Sequence, residues 1–489
     1  MKTRIIRMVA LMLAVLMCFS SLTACKKKSE TSSEGNVDTS SDFFNFESDT
    51  NNIEGNTESD TESDNTSNKD KTTVEKENYG NKEVVDRDFQ WPELKFNNKK
   101  LTWLFWGGEG YETNATAKKL KEVYGIEVDV INAVYGEMSS KLAALVMSGQ
   151  SPDMVRMIDG SSGNFPGYIY KELIQPVDNY VNWKNPIYTD QSYYYSKSKV
   201  NGKNYMLFNY TSTGGVVVYN KKMFKEAGVT EPYTLYKQGK WDWNTFADVA
   251  SKLTADTDGD GTIDRKAYAL GSGDAFIYTT GQTFGALDHK NKKFKSNLKN
   301  ADIARAVDFI NNLGFTKKLG DHGIVNADEL FKSELVAMNI ISDGEHTRVG
   351  GWTTEIAKRG DLGIAPLPKD PEADKLYYYV WADSIAIPTG AKNPNAAVAY
   401  HAVRRYLETN PDEVSSTHKK WKTSTYWNDE NIEAYYASVN DGQPVWDTVA
   451  WAGNQIVWNS VLMGIPWSAR VAAEADKTEA QIKAAFDLE

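Results

Sequence analysis

The run VNGKNYMLFNYTSTGGVVVYNKKMFKEAG, Val200 to Gly228, decides the fold. Asn201-Gly202-Lys203 is a turn signal. Asn204 to Phe208 is patterned as a strand, and Val216 to Asn220 is an apolar run short enough for a second, buried strand. Lys221 to Ala227 predicts a short helix ended by Gly228. Between the strands stand the small residues Thr211 to Gly215. A Gly-Gly pair there suits a chain passing from one domain to another, where backbone angles must change.

Upstream, strands and helices alternate. Leu101 to Trp106 is an apolar run closed by Gly107-Gly108, Ile126 to Asn132 alternates as a strand does, and Pro152 to Met157 predicts another. Helical spacing lies between them, over Lys118 to Val123 and over Glu137 to Gly149. In the second, Met138, Leu142, Leu145 and Val146 share a face, Ser139 or Ser140 lies near the start, and Gly149 suits the C-cap. Such alternation builds a parallel sheet covered by helices, whose ligands bind beyond the carboxyl ends of the strands. The loops to watch are therefore Gly107 to Tyr111 and Asp159 to Asn164.

At the N-terminus, Lys2, Arg4 and Arg7 precede a short apolar run, Met8 to Phe19, and then Leu22-Thr23-Ala24-Cys25. The arrangement resembles a bacterial lipoprotein signal: residues 1–24 would be removed and Cys25 acylated. Two acyl chains on one residue anchor stably where a single chain does not. Residues 25–90 would then be the lipidated cysteine and a disordered polar linker, because Ser, Thr, Asn, Asp, Glu and Lys around one small cluster, Phe43-Phe44-Asn45-Phe46, cannot bury enough surface to offset ordering. A flexible leash of that length spans roughly 45 Å root-mean-square. The chain has 2 cysteines, and Cys18 leaves with the signal, so disulfides and thiol chemistry are excluded from the folded part. A net charge of −11 argues against nucleic acid.

The remaining part of the 489 residues is too long for one core and predicts two domains. Read in order, Lys141 to Met154 (KLAALVMSGQSPDM), Glu172 to Val181 (ELIQPVDNYV), the Val200 segment, Trp243 to Thr254, Glu334 to Ile340, Asp361 to Pro368 and Ser384 to Tyr400 resemble family 1 extracellular solute-binding proteins, the sugar-type receptors of ATP-binding-cassette importers. The resemblance implies an α/β chain with a type II, two-lobe periplasmic-binding-protein-like fold and a ligand cleft between lobes joined by hinge strands. By analogy the crossings fall near Tyr210 to Gly215, Pro366 to Asp370 and Ser415 to Lys420. The N-terminal lobe would be 91–211 plus 369–418, and the C-terminal lobe 212–368 plus 419–489.

A sugar offers apolar C–H faces and hydroxyl edges, so its site needs aromatic platforms beside Asp, Glu, Asn or Arg. Trp106 and Glu109 follow the first strand, although Trp106 also ends an apolar run and could be core. Asp159 lies at a strand end, where a solvated turn is the alternative, and Thr213 lies in the crossing. Asp274 and Tyr278 come from GSGDAFIY; Asp343 and Glu345 stand where the family commonly presents a Gly-Trp, with the tryptophan missing here. Trp381 and Asp383 are placed in a loop entering a strand. Trp446, Trp451, Trp458 and Trp467 read mostly as core, with Trp451 the one expected at the ligand. Trp241 and Trp243 read as structural, before a helix capped by Asp242 or Asn244.

Asp256, Asp258, Asp260, Thr262 and Asp264 fit positions 1, 3, 5, 7 and 9 of a calcium loop, with Gly261 at the turn. Position 12 is Ala267, so the bidentate Glu is absent, and an acidic surface turn explains the same residues. No cofactor is required, and a structural Ca²⁺ is the one metal the pattern allows.

The function expected is a surface receptor, lipid-anchored outside the cytoplasmic membrane. It captures a carbohydrate, most simply an oligosaccharide, and delivers it to a permease as a monomer without chemistry on the ligand. A glycan-binding adhesin and a carbohydrate-active hydrolase or lyase are the alternatives. The five histidines show no metal spacing, and neither G-x-S-x-G nor H-E-x-x-H occurs.

Overall fold

The computed structural model describes residues 90–488 apart from 107–109, 159–164, 189–190, 324–326, 343–353 and 410–427. Cys25 and the linker, Glu109, Asp159, Asp343, Glu345 and the third expected crossing all lie outside the described residues.

The chain begins with β1 (Lys100–Phe105), α1 (Ala115–Tyr124), β2 (Glu127–Asn132), α2 (Met138–Met147), β3 (Met154–Ile158), α3 (Phe165–Tyr170), β4 (Ile174–Gln175) and β5 (Met206–Thr213). Local chemistry explains the helix ends. Asn114 accepts from the Ala117 N–H at the start of α1, and left-handed Gly125 closes it. Left-handed Gly149 follows α2, as its spacing predicts, but neither Ser139 nor Ser140 caps the start; Glu137 stands at the cap without a side-chain bond.

After Gly214 come β6 (Gly215–Asn220), α4 (Lys221–Glu226), α5 (Trp243–Leu253), β7 (Lys266–Leu270), α6 (Ala275–Tyr278), the β8–β9 hairpin (Gly285–Asp288, Lys293–Ser296), β10 (Gly320–Asp321), β11 (Val336–Ser342) and β12 (Leu362–Pro366). Asn220 caps α4 and Asp242 caps α5. Along α5, Trp243, Phe246, Val249, Ala250 and Leu253 are buried at helical spacing against the second sheet. Each large side chain of that stripe contributes about 1.5–3 kcal/mol by leaving water.

The chain returns through β13 (Tyr377–Pro388), α7 (Pro394–Thr409), α8 (Asp429–Asp441), β14 (Gln443–Val445), α9 (Ala450–Met463) and α10 (Trp467–Phe486). One sheet runs β14-β13-β3-β1-β2, with β4 and β5 also paired to β13; the other runs β10-β7-β11-β6-β12. Each has its own buried core, one built on Leu101, Leu104 and Phe208, the other on Val217, Tyr268 and Ile340.

Among the described residues, the chain crosses between them at Gly214, between Pro366 and Tyr377, and again between β14 and α9. The first differs from the flexible linker that TSTGG suggests. Thr211, Ser212 and Thr213 continue β5, and Gly214 alone separates it from β6. Neither Gly214 nor Gly215 is left-handed. A Cβ on Gly214 would lie 2.2 Å from Cδ1 of Tyr379, and one on Gly215 2.9 Å from Cδ1 of Leu367, so these glycines admit close neighbours. The return passage, between Pro366 and Tyr377, is pinned where Arg305 Nη1 and Nη2 donate to the two oxygens of buried Asp370 at 2.6 and 2.7 Å.

Candidate functional site

Register fixes which edges of the two sheets face the passages. In the second sheet Gly215 pairs with Ser342, so β11 ends where β6 begins, and parallel β7 ends beside it. In the first sheet Thr213 pairs with Val380 and Ile158 with Asp383, so β3 ends against the strands that lead across. Both sheets thus present carboxyl ends toward the crossing strands, the place where α/β sheets take ligands.

On the first side, Arg156 of β3 donates from Nε to Asp383 Oδ1 at 2.7 Å, and Asn209 donates to Asp383 Oδ2 at 3.1 Å. The Arg156 guanidinium lies 4.9 Å from the ring centroid of Phe105 and 5.3 Å from that of Trp106. Asn209 continues to His401, with its Oδ1 3.3 Å from Nδ1, and accepts at its carbonyl from Arg405 at 2.9 Å. Burial, with Arg405 adding to it, pushes His401 far down, so that ring stays neutral.

On the second side, Ser272 Oγ donates to Asp274 at 2.7 Å, at the loop after β7. Asp447 is 1% exposed and accepts from the Phe284 and Val449 N–H groups, each at 2.9 Å. Burial raises both carboxyls, Asp447 to about 7, with Asp274 adding to the rise. Among the described residues neither forms an ion pair. The ring of Phe284 packs on α9 where Gly453 has no side chain; a Cβ there would lie 2.2 Å from the ring. Tyr278 stacks on Tyr379 of β13 at 4.4 Å and 23°, joining the second side to the crossing strand. Trp446, which follows β14 of the first sheet, stands on the first side and packs edge-on to Phe165 and Phe208. Three buried atoms lack a hydrogen-bond partner among the described residues: Trp446 Nε1 on the first side, and Trp451 Nε1 and Asn454 Oδ1 on the second. Leaving such groups unpaired costs about 1–3 kcal/mol each, so they are capacity a polar ligand can use.

Of the residues expected from sequence, Trp106 is half-buried at the end of β1. Trp381 lies inside β13, paired to Ser212, not in a loop entering it. Asp383 shares that strand, and its carboxylate is taken up by Arg156 and Asn209. Thr213 is fully buried, its Oγ1 donating to the Gly215 carbonyl at 3.0 Å. Tyr278 is core, and Asp274 and half-buried Trp451 stand on the second side. Trp241, Trp243 and Trp467 donate to Pro366, Thr279 and Leu298 within the second core. Sequence reasoning missed Asp447, Asn454, Tyr379 and the role of Trp446. A partial signal existed: Trp451 and Asn454 are three residues apart on α9, and so share a helical face.

In the aspartate loop, carboxylate oxygens of Asp256, Asp258 and Asp260 come within 4.8 Å of one another. Asp264 is drawn away, accepting from the Thr257 N–H and Oγ1 at 2.6 and 2.7 Å, and Ala267 is buried in β7. A described cavity of about 520 Å³ lies elsewhere, beside Tyr236, Glu433 and Asp441. No described helix is long and apolar enough to cross a membrane.

The family model for the bacterial extracellular solute-binding protein matches residues 106–402, well over half of the chain. The chain belongs to this family. Solved structures with the same two-lobe α/β fold include the substrate-binding protein Lmo0181 of Listeria monocytogenes with cycloalternan (16% identity, 80% of this chain and 99% of that one, TM-score 0.56). MalE of Xanthomonas citri matches at 17% identity over 80% and 100%, TM-score 0.59. The galacto-N-biose/lacto-N-biose I-binding protein of Bifidobacterium longum matches at 18% over 80% and 98%, TM-score 0.59. At these identities the likeness is one of fold. No curated relative matches the sequence. The chain shares the two-lobe fold of these proteins.

Proposed function

We propose that this solute-binding protein is a receptor for a carbohydrate, taken up as an oligosaccharide and handed to an ATP-binding-cassette permease. It is held outside the cytoplasmic membrane by a lipid on Cys25, and it works as a monomer. The observation that carries the reading is that aromatic faces stand beside polar atoms without a partner among the described residues: Trp446 Nε1 on the first side, and Trp451 Nε1 and Asn454 Oδ1 on the second. Indole N–H groups suit hydroxyl oxygens, and an amide oxygen suits hydroxyl hydrogens. Sugars are also the ligands named for the Listeria and Bifidobacterium proteins of the same fold.

The mechanism is a population change. Contacts to one lobe bind equally well open or closed and move nothing; contacts to both favour closure by their difference in free energy. Arg156, bonded to Asp383, keeps Phe105 and Trp106 fixed on the first side, while Trp446 there and Trp451 and Asn454 on the second supply the open hydrogen-bonding groups. A calorimetric screen against mono- and trisaccharides tests the reading. Saturable heat with the sugar recovered intact supports it; silence across carbohydrates with heat from another solute class, or cleaved sugar, overturns it.

A further inference from the structure

Tyr170, at the end of α3, has a place no other half-buried apolar residue shares among the described ones: it packs against both cores. Its hydroxyl lies 2.7 Å from Nδ1 of His289, in the turn of the β8–β9 hairpin. Lys292 of the same turn places its ammonium 5.5 Å from the Tyr170 ring centroid. α10 packs against α3 and against β9, so three elements converge there. None of them lies on the described passages at Gly214, 367–376 and 446–449.

Both groups of the bond are held uncharged by their surroundings. Burial, with Asp288 adding to it, pushes the Tyr170 phenol up to about 12, so it keeps its proton. Burial outweighs Asp288 at His289 and lowers it, so the ring is neutral.

We infer that Tyr170 is a closure pin: its ring between the cores and its bond to His289 hold the two lobes together away from the hinge, and so set how long a captured solute is retained. The inference rests on the closure reading above. Opening about the hinge strands must break this contact, whereas a solute can enter before it forms. The pin therefore acts on release more than on capture.

Hydrogen–deuterium exchange on the full chain tests it without a solute. Tyr170→Phe removes only the hydroxyl; a hydrogen bond worth about 1 kcal/mol corresponds to about fivefold in opening. Exchange should rise about fivefold both in 165–170 and in 285–296, which belong to opposite lobes, and further in Tyr170→Ala, with β1 and β11 unchanged. His289→Ala should match Tyr170→Phe. Unchanged exchange in the hairpin, or a rise confined to α3, overturns the pin. With maltotriose, mannotriose and cellotriose as probes, any that binds wild type should dissociate about fivefold faster from Tyr170→Phe at an unchanged association rate; an equal dissociation rate overturns the pin while the receptor reading stands. If no probe binds wild type yet both segments loosen in the variants, the pin stands and the carbohydrate reading falls.

Discussion

The two sides of the cleft spend their polar groups differently. At the end of β3 the charges are closed on themselves: Arg156, Asp383, Asn209 and His401 form one chain of bonds inside the first lobe. Beyond β7 the carboxyls of Asp274 and Asp447 have no ion pair among the described residues, and Trp451 Nε1 and Asn454 Oδ1 have no hydrogen-bond partner there. The difference teaches a division of labour. One side is a rigid frame of paired charges, and the other keeps buried polar groups without a partner among the described residues.

The comparison breaks most visibly at Asp383. Its side chain is 5% exposed, and removing it takes away the acceptor of the Arg156 Nε bond. Asp383→Ala should lower stability by about 3–5 kcal/mol in urea denaturation. A change below about 1 kcal/mol would mean that the first side is no tighter than the second. Gly214→Ala comes next, since its methyl would meet the Tyr379 ring. A loss of about 1–3 kcal/mol is expected, and full stability would mean that the passage is the loose linker its sequence suggests.

That glycine also marks where sequence reading stops. The strands were legible because Leu101 to Trp106 and Val216 to Asn220 are apolar runs closed by turn residues, a local signal. The place of the crossing was read from the Gly-Gly pair and the family resemblance. Its cause was not, because the ring that excludes a side chain at Gly214 comes from Tyr379, far along the chain. Trp381 and Asp383 read as loop residues because the family often has glycines there; the charge is tolerated inside β13 because Arg156, 227 positions away, neutralises it. Asp447 was overlooked for a like reason, as its partner at Phe284 is 163 positions away.

On the second side, acidity provides a sharper probe. An acid whose folded value is raised binds its proton more tightly folded than unfolded, so its contribution is fully present below the unfolded value and is lost as pH rises toward the folded one. For Asp447 the window runs from about pH 4 to about 7. The stability difference between wild type and Asp447→Asn should fall across it by up to about 1.4 kcal/mol per pH unit. Denaturation at several pH values measures this, and a flat difference would show that the carboxyl stays ionised. The smallest effect is expected at Trp446→Phe and Trp451→Phe. Each removes one reserved N–H and should weaken sugar binding about fivefold in calorimetry. Unchanged affinity in both would remove the indoles from the site.

The most direct measurement is calorimetric titration of the full chain with linear trisaccharides, with chromatography of the sugar afterwards. The account predicts saturable binding of at least one of them, lost progressively when Trp446, Trp451 and Asn454 are replaced, and sugar recovered at its original length. Binding indifferent to all three replacements, or shortened sugar in the recovered fraction, would contradict it.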